Sequence, residues 1–363
     1  MKKIGIAAGI ILAVIIIGIF LINVAEQDTE VTKEKTKVGF VLNGSCDDGS
    51  WVQSHYEGME KTAKMLNLDV QYRENVPETP ESKQIMEELI ADGCEIILCN
   101  SYQYGQYVME TAREHPEVYF FHAAGVEARK NVSTYFGRIY QMRYLSGIVA
   151  GMQTETDEIG YVAAFPIPEV TRGINAFTLG VRKVNPDAKV HVAWCYSWNS
   201  DEKAENVTET LLKKHDIDVI TLHTNSLAPL AVAQEKKIWS IGYNRDNSEL
   251  YPDSWLTAPI WNWEAFYEPH ILECLQKKFQ SKSYWDGVET ELVDLAPFGS
   301  AVKPGIEEVV NEEKEKLAQA GYDVFYGPIR DRNGKLRVRT NENMSDDTLL
   351  HRFDWYVEGV VFE

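Results

Sequence analysis

The chain has 363 residues, of which 44% are hydrophobic and 25% charged, and it carries a formal net charge of −19. That length favours two domains, and the composition excludes a mainly disordered chain and any coiled-coil or collagen-like architecture. The acidic balance makes a nucleic acid duplex or an anionic bilayer surface a poor partner, because phosphate binding needs clustered Lys and Arg. Small neutral or cationic ligands stay open.

Lys2 and Lys3 precede an uncharged apolar run from Ile4 to Ala25. As a helix it would rise roughly 33 Å, enough for a hydrocarbon core of about 30 Å. The basic end should stay inside and send the rest of the chain out. The run is longer than the apolar core of an ordinary signal peptide and lacks a clear small-residue cleavage site. Residues 1–25 therefore read as a membrane anchor, with a cleaved export signal as the alternative, and 26–36 as a polar tether. No cysteine closes the run, so lipid attachment there has no support. The five cysteines, Cys46, Cys94, Cys99, Cys195 and Cys274, form an odd set without CxxC spacing. They announce neither a disulfide framework nor a zinc site.

From Lys37 on, short β-rich runs alternate with helical patterns. Val38–Leu42 is followed by a turn-rich loop, Asn43 to Gly49. A helix should then open at Trp51, with Ser50 and Gln53 as a capping box. Further strands are expected at Leu68–Tyr72, Ile96–Cys99, Val118–His122 and Val132–Phe136. Helices are expected near 82–91, 104–114 and 140–152. The pattern restarts after Thr154, with strands at 159–164, 189–196, 219–223 and 239–243 and helices near 172–184, 202–214 and 229–235. Such alternation implies right-handed βαβ units and parallel sheets covered on both faces. Helices at 264–280 and 304–320 follow, then a hairpin of Val324–Ile329 and Lys335–Arg339 around Asn333-Gly334. The expected organisation is an α/β pair of lobes: 37–153 with about 264–296, and 154–263 with about 297–363.

Ligands of open α/β sheets sit beyond the carboxyl ends of the strands. The residues there include Asn43, Asp48 and Trp51; Asn100, Ser101 and Tyr102; Phe165 to Glu169; Trp198; His223 and Asn225; and Tyr243 to Asp246. Aromatic faces stack on heterocycles, and amides or carboxylates read their polar edges. The loop at 44–49 has no GxxxxGK[ST] or GxGxxG, so it does not cradle a nucleotide phosphate. Each residue alone has a plain alternative: Asp48 as a turn former or cap, Trp51 as core, Glu169 as a helix-start carboxylate, Asp246 as solvent-exposed. No HExxH, GxSxG or Cys–His signature supports catalysis, and the histidines have no ligand spacing.

Several longer stretches carry a resemblance: Asp47-Asp48-Gly49-Ser50-Trp51, Tyr135-Phe136-Gly137-Arg138-Ile139-Tyr140, Gly160 to Val170, Gly173 to Phe177, His223-Thr224-Asn225-Ser226 and Trp355 to Gly359. From about Thr36 onward the chain resembles the basic membrane protein family of ABC-transporter substrate-binding proteins, and within it the purine-binding branch, closest to members thought to take bare bases such as adenine. The resemblance implies a type I periplasmic-binding-protein fold, two Rossmann-like lobes joined by a multi-crossover hinge and closing on ligand. It implies no enzymatic activity, cofactor or metal, and as partners a permease and ATPase. By resemblance Asp48 would hydrogen-bond the purine, Trp51 would stack on it, and Asp246 would stand where nucleoside binders meet the ribose. Val52 replaces their Asn, and Trp261 stands near their ribose-contacting Lys, which favours a bare base. The expected ligand-binding set is Asp48, Trp51, Asn100, Tyr102, Phe165, Glu169, Trp198, Asn225, Asp246 and Trp261. An anchored sensory protein and a nucleoside hydrolase are the competing functions.

Overall fold

The computed structural model describes residues 35–363. The expected anchor and nearly all of the tether lie outside the described residues. Among the described residues, no helix is long and apolar enough to cross a membrane.

The first run of elements is β1 (Lys37–Val41), α1 (Trp51–Leu66), β2 (Asp69–Arg73), α2 (Glu81–Ala91), β3 (Cys94–Cys99), α3 (Gly105–Glu114), β4 (Tyr119–Ala123), β5 (Val132–Gly137) and α4 (Tyr140–Gln153). The second is β6 (Glu158–Ala163), α5 (Pro168–Val184), β7 (Lys189–Trp194), α6 (Asp201–Lys214), β8 (Val219–His223), α7 (Ala228–Lys236), β9 (Trp239–Ile241) and β10 (Trp255–Thr257). The remainder is β11 (Pro259–Trp261), α8 (Glu264–Leu275), β12 (Ser283–Asp286), β13 (Val293–Leu295), α9 (Ile306–Leu317), β14 (Ile329–Arg330), β15 (Leu336–Val338), α10 (Asp346–His351) and β16 (Val360–Phe362).

Two six-stranded sheets result, in the orders β12-β5-β4-β3-β1-β2 and β10-β9-β8-β6-β7-β16. Every pairing in both is parallel. Parallel sheets are covered by helices on both faces, so their strands read as apolar runs rather than alternations. β5 and β8 are accordingly buried along their whole length. The α/β fold of two parallel sheets expected from the sequence is present. β12 and β16 are edge strands that the sequence reading left out. β12 brings the chain back to the first sheet, and β16 returns it to the second. β11 and β13, on either side of β12 in the chain, pair antiparallel outside both sheets.

Helix α4 is buried on nearly every side. It packs on α5 so closely that a Cβ at Gly147 would stand 2.1 Å from the Phe177 carbonyl oxygen, and one at Gly180 2.0 Å from that of Tyr144. Arg143 of α4 donates from Nη1 to the Leu222 carbonyl in β8, 2.8 Å. Although the sequence places it with the first lobe, α4 lies against the second sheet.

Several boundaries differ from the sequence expectation. α5 starts at Pro168, where proline's missing N–H is no loss in the first turn. α8 stops at Leu275, and Lys277 adopts a left-handed φ of 56°. The expected strand at 324–329 shrinks to Ile329–Arg330, paired antiparallel with β15. Ser50 does not cap α1 with its side chain; Asp48 does, as described below. All five cysteines are free thiols.

Candidate functional site

In each sheet the strand order reverses beside the first strand of its run: β3-β1-β2 in the first, β8-β6-β7 in the second. Diverging connections open a crevice there, at the carboxyl ends. The crevice of the first sheet is therefore bounded by the residues after β1 and β3, and that of the second by those after β6 and β8.

On the first side, Asp48 organises the loop and the helix. Its Oδ1 accepts from the backbone N–H groups of Ser50 (2.8 Å) and Gln53 (2.9 Å), and its Oδ2 from that of Val52 (3.0 Å). Gln53 Oε1 reaches back to the Gly49 N–H, 3.0 Å. These bonds satisfy the orphan donors of the helix start. Burial nevertheless raises the Asp48 pKa, with the backbone donors working against the rise. Oδ2, with one backbone partner, is the oxygen with acceptor capacity to spare.

Trp51, half-buried, donates from its indole N–H to the Asn100 carbonyl, 3.0 Å. Asn100 is fully buried and its Oδ1 accepts from the Asn43 N–H, 3.0 Å, while its Nδ2 has no partner. Asn43 Oδ1 is likewise buried without a partner. An amide donor and an amide acceptor are thus left free where β1 and β3 end. Around them stands an aromatic block. Trp51 meets Trp261 edge-on at 5.8 Å, Trp263 at 5.5 Å and His55 at 4.4 Å, and Trp261 stacks on Trp263 at 4.5 Å. Trp261 is only 5% exposed and donates to Asn244 Oδ1, 2.9 Å. Gly137 makes room for it, since a Cβ there would lie 2.6 Å from the indole.

On the second side, Phe165 faces Trp198 at 5.9 Å, and Trp198 stands 6.3 Å from His223. His223 Nδ1 bonds the Tyr161 hydroxyl, 3.0 Å, and its Nε2 has no hydrogen-bond partner; a Glu169 oxygen lies 3.9 Å away. Burial and, next, the Arg143 charge hold the His223 pKa down to about 4, so the ring is neutral at physiological pH. Arg143 lies over the Tyr243 ring at 3.8 Å, with Nε and Nη2 unpartnered; Arg172 Nε is unpartnered too. Among the described residues, neither guanidinium forms a salt bridge with a carboxylate, although the Glu169 charge acts on Arg172. Buried charge of this kind is costly unless something polar meets it.

The two sides touch through the loop after β9. Asn244 Nδ2 donates to Ser50 Oγ (3.0 Å) and Asn225 Oδ1 (3.2 Å), and Asn247 Nδ2 to the Gly49 carbonyl (3.1 Å). Arg245 pairs with Glu57 at 3.0 Å. This chain of contacts brings Asp48, Trp51, Asn100, Trp261, Asn225, Trp198 and Phe165 into one neighbourhood, with Glu169 reached through His223. Two expected residues stand differently. Tyr102 is 60% exposed, in a single turn beyond β3. Asp246 closes a local turn, its Oδ1 accepting from the Ser248 N–H at 2.9 Å. Arg143 and Arg172 were not singled out from sequence, although a lone cation in the otherwise uncharged stretch Tyr140–Gln153 is a readable sign.

A family model described as ABC transporter substrate-binding protein PnrA-like matches residues 35–322. The chain belongs to this family. It is 31% identical over 330 residues to a purine-binding protein of Brucella abortus, covering 90% of this chain and 93% of that one. It is 30% identical over 328 residues to an ABC transporter protein of Haloferax volcanii named for glucose binding, covering 90% and 81%. Among solved structures, a transcriptional activator of the comK gene from Bacillus halodurans superposes with a TM-score of 0.71 at 22% identity, over 79% of this chain and 99% of that one. An ABC transporter solute-binding protein from Conexibacter woesei superposes with a TM-score of 0.68 at 18% identity, over 79% and 98%. These likenesses carry the type I solute-binding fold. The chain is a substrate-binding protein of an ABC transporter, a class that binds its solute outside the cytoplasm and hands it to a permease unchanged, without enzymatic chemistry.

Proposed function

We propose that this protein captures a bare purine base, adenine or a close relative, between the carboxyl ends of its two sheets and delivers it to a membrane permease. The carrying observation is a free amide donor, Asn100 Nδ2, and a free amide acceptor, Asn43 Oδ1, on two linked residues, with the Trp51 indole bonded to the Asn100 carbonyl. Adenine presents an acceptor nitrogen next to an exocyclic amine, which an amide donor and acceptor can read together. Trp51 and, across the crevice, Phe165 and Trp198 offer ring faces, and the Asp48 carboxylate oxygen with capacity to spare can take a ring N–H. Trp261 fills space where a ribose would extend. The purine-binding relative from Brucella abortus supports the reading. Ligand touching both sides shifts the lobes toward closure by its differential affinity for the closed form. The apolar run at 4–25 holds the protein to the outer face of the membrane.

The test is a thermal-shift and calorimetric screen of the full chain against adenine, guanine, adenosine, D-glucose and riboflavin. A base at about 100 times its dissociation constant adds roughly 2.7 kcal/mol. The reading requires a raised melting temperature with a base and none with its nucleoside. A response to adenosine alone refutes the base preference, and a response to glucose alone refutes the purine.

A further inference from the structure

At the amino end of the second sheet, away from the crevice, four side chains from four elements converge. Glu158 opens β6, His191 lies in β7, His215 follows α6, and Glu363 follows β16. The His191 ring is 4% exposed and stacks on that of His215 with centroids 3.8 Å apart. His191 Nε2 abuts Glu158 Oε2, and its Nδ1 lies 3.3 Å from Glu363 Oε1. His215 Nε2 meets the same Glu363 oxygen at 2.7 Å. The outer carboxylate oxygens are taken by lysines: Lys189 Nζ on Glu158 Oε1 and Lys214 Nζ on Glu363 Oε2, both at 3.1 Å.

The donor accounting leaves a gap. A neutral imidazole has one N–H and one lone pair. His191 has a carboxylate oxygen at each nitrogen, so one nitrogen presents a lone pair to an oxygen lone pair. Either a second ring proton or a metal cation at that nitrogen removes the mismatch. The donor atoms of Glu158, His191 and His215 all lie within 4.8 Å of one another. In a tetrahedral zinc site with bonds of about 2.0–2.1 Å, donors stand roughly 3.3 Å apart, so the abutting Glu158 and His191 atoms would separate slightly while any more distant donor of the set closes in. His215 follows the end of α6, and its side chain is 26% exposed.

We propose that Glu158, His191 and His215 form a binding site for a divalent transition-metal ion of the zinc class. Glu363 orients His191 by accepting its Nδ1–H, the carboxylate–histidine arrangement common behind metal-bound imidazoles. Two imidazoles with one carboxylate select zinc, nickel or copper over magnesium or calcium, which prefer oxygen donors alone. The bound ion ties β6, β7 and the end of α6 together and, through Glu363, fixes the last strand of the sheet. It leaves the solute crevice untouched.

The experiment is titration of the chelator-treated full chain with zinc chloride by calorimetry and thermal shift, with magnesium chloride as the control ion. The expected result is saturable binding of one zinc per chain, a melting temperature raised by zinc and restored by EDTA, and no response to magnesium. Both His215→Ala and Glu158→Gln should weaken zinc binding at least tenfold while melting cooperatively without metal and keeping the wild-type response to adenine. Absence of saturable zinc binding by the wild type overturns the proposal, as does unchanged zinc affinity in both variants.

Discussion

The two sheets follow one plan, yet the sides they turn to the crevice are made of different material. On the first side, flat rings are packed against one another, and most of their polar atoms are spoken for: Trp51 by Asn100, Trp261 by Asn244, and Trp263 by Ser54. On the second side, a neutral histidine and two buried guanidiniums keep open nitrogens beside Glu169. The first side is dominated by packed rings, with the free amide atoms of Asn43 and Asn100 beside Trp51, whereas the second keeps unpartnered cationic and imidazole nitrogens next to the smaller aromatic pair of Phe165 and Trp198. Under the proposed function, a ligand that meets both sides gains contacts that neither side offers alone, which favours the closed form.

Truncation on the packed side should cost the most. Trp261→Ala opens a cavity among Trp51, Phe136 and Trp263 and should destabilise the protein by about 3–5 kcal/mol, read as a lowered denaturant midpoint. An unchanged midpoint would mean that the aromatic block is not packed as described. Acid should attack the other side. With the folded His223 pKa near 4 and the unfolded one near 6.5, only the unfolded chain takes up the proton between those values. Stability is then intact above pH 6.5 and is lost as pH falls toward 4, by about 3 kcal/mol. His55 and His122, also lowered by burial, add to the slope. His223→Gln should therefore make the pH dependence shallower without abolishing it, and an identical pH–stability curve would remove His223 from the account.

Asp48→Ala tests both sides of the dual reading of that carboxylate. Loss of the cap should cost about 1 kcal/mol, seen in chemical denaturation, and adenine affinity should fall with it. Retained affinity with reduced stability would leave Asp48 a structural cap and take it out of the binding set. Smallest is the Arg245–Glu57 pair that joins the two sides. Both partners are partly exposed, at 28% and 40%, and Arg245→Ala should change stability by less than about 1 kcal/mol. Its expected trace is a modestly weaker ligand response that fades at high salt.

The order of strands and helices could be read from the chain because parallel strands are apolar throughout and their helices are not. Short edge strands escaped that reading. β12 is only partly buried and β16 is three residues long, so neither forms a distinct apolar run. Ser50 and Gln53 satisfy the spacing of a capping box, yet Asp48, two residues before Ser50, supplies the side-chain acceptor. Most of the expected site residues fall where their strands end, but Tyr102 shows that following a strand is not enough when the chain turns outward. Arg143 and Arg172 lie within helices, where a rule based on strand ends does not look. The cluster of Glu158, His191, His215 and Glu363 spreads over so much of the chain that only the pairing of β6, β7 and β16 brings it together.

The interleaving of the two sheets also governs how the molecule comes into being. The first sheet lacks an edge until β12 is made, roughly 150 residues after β5, or about 7–30 s of synthesis at typical speeds. The second waits for β16. Neither half can complete itself while the other is being made, so the order of birth and the order of assembly differ. Contacts so distant along the chain make for slow, late folding. A nascent chain held open in this way stays threadable until its last strand arrives.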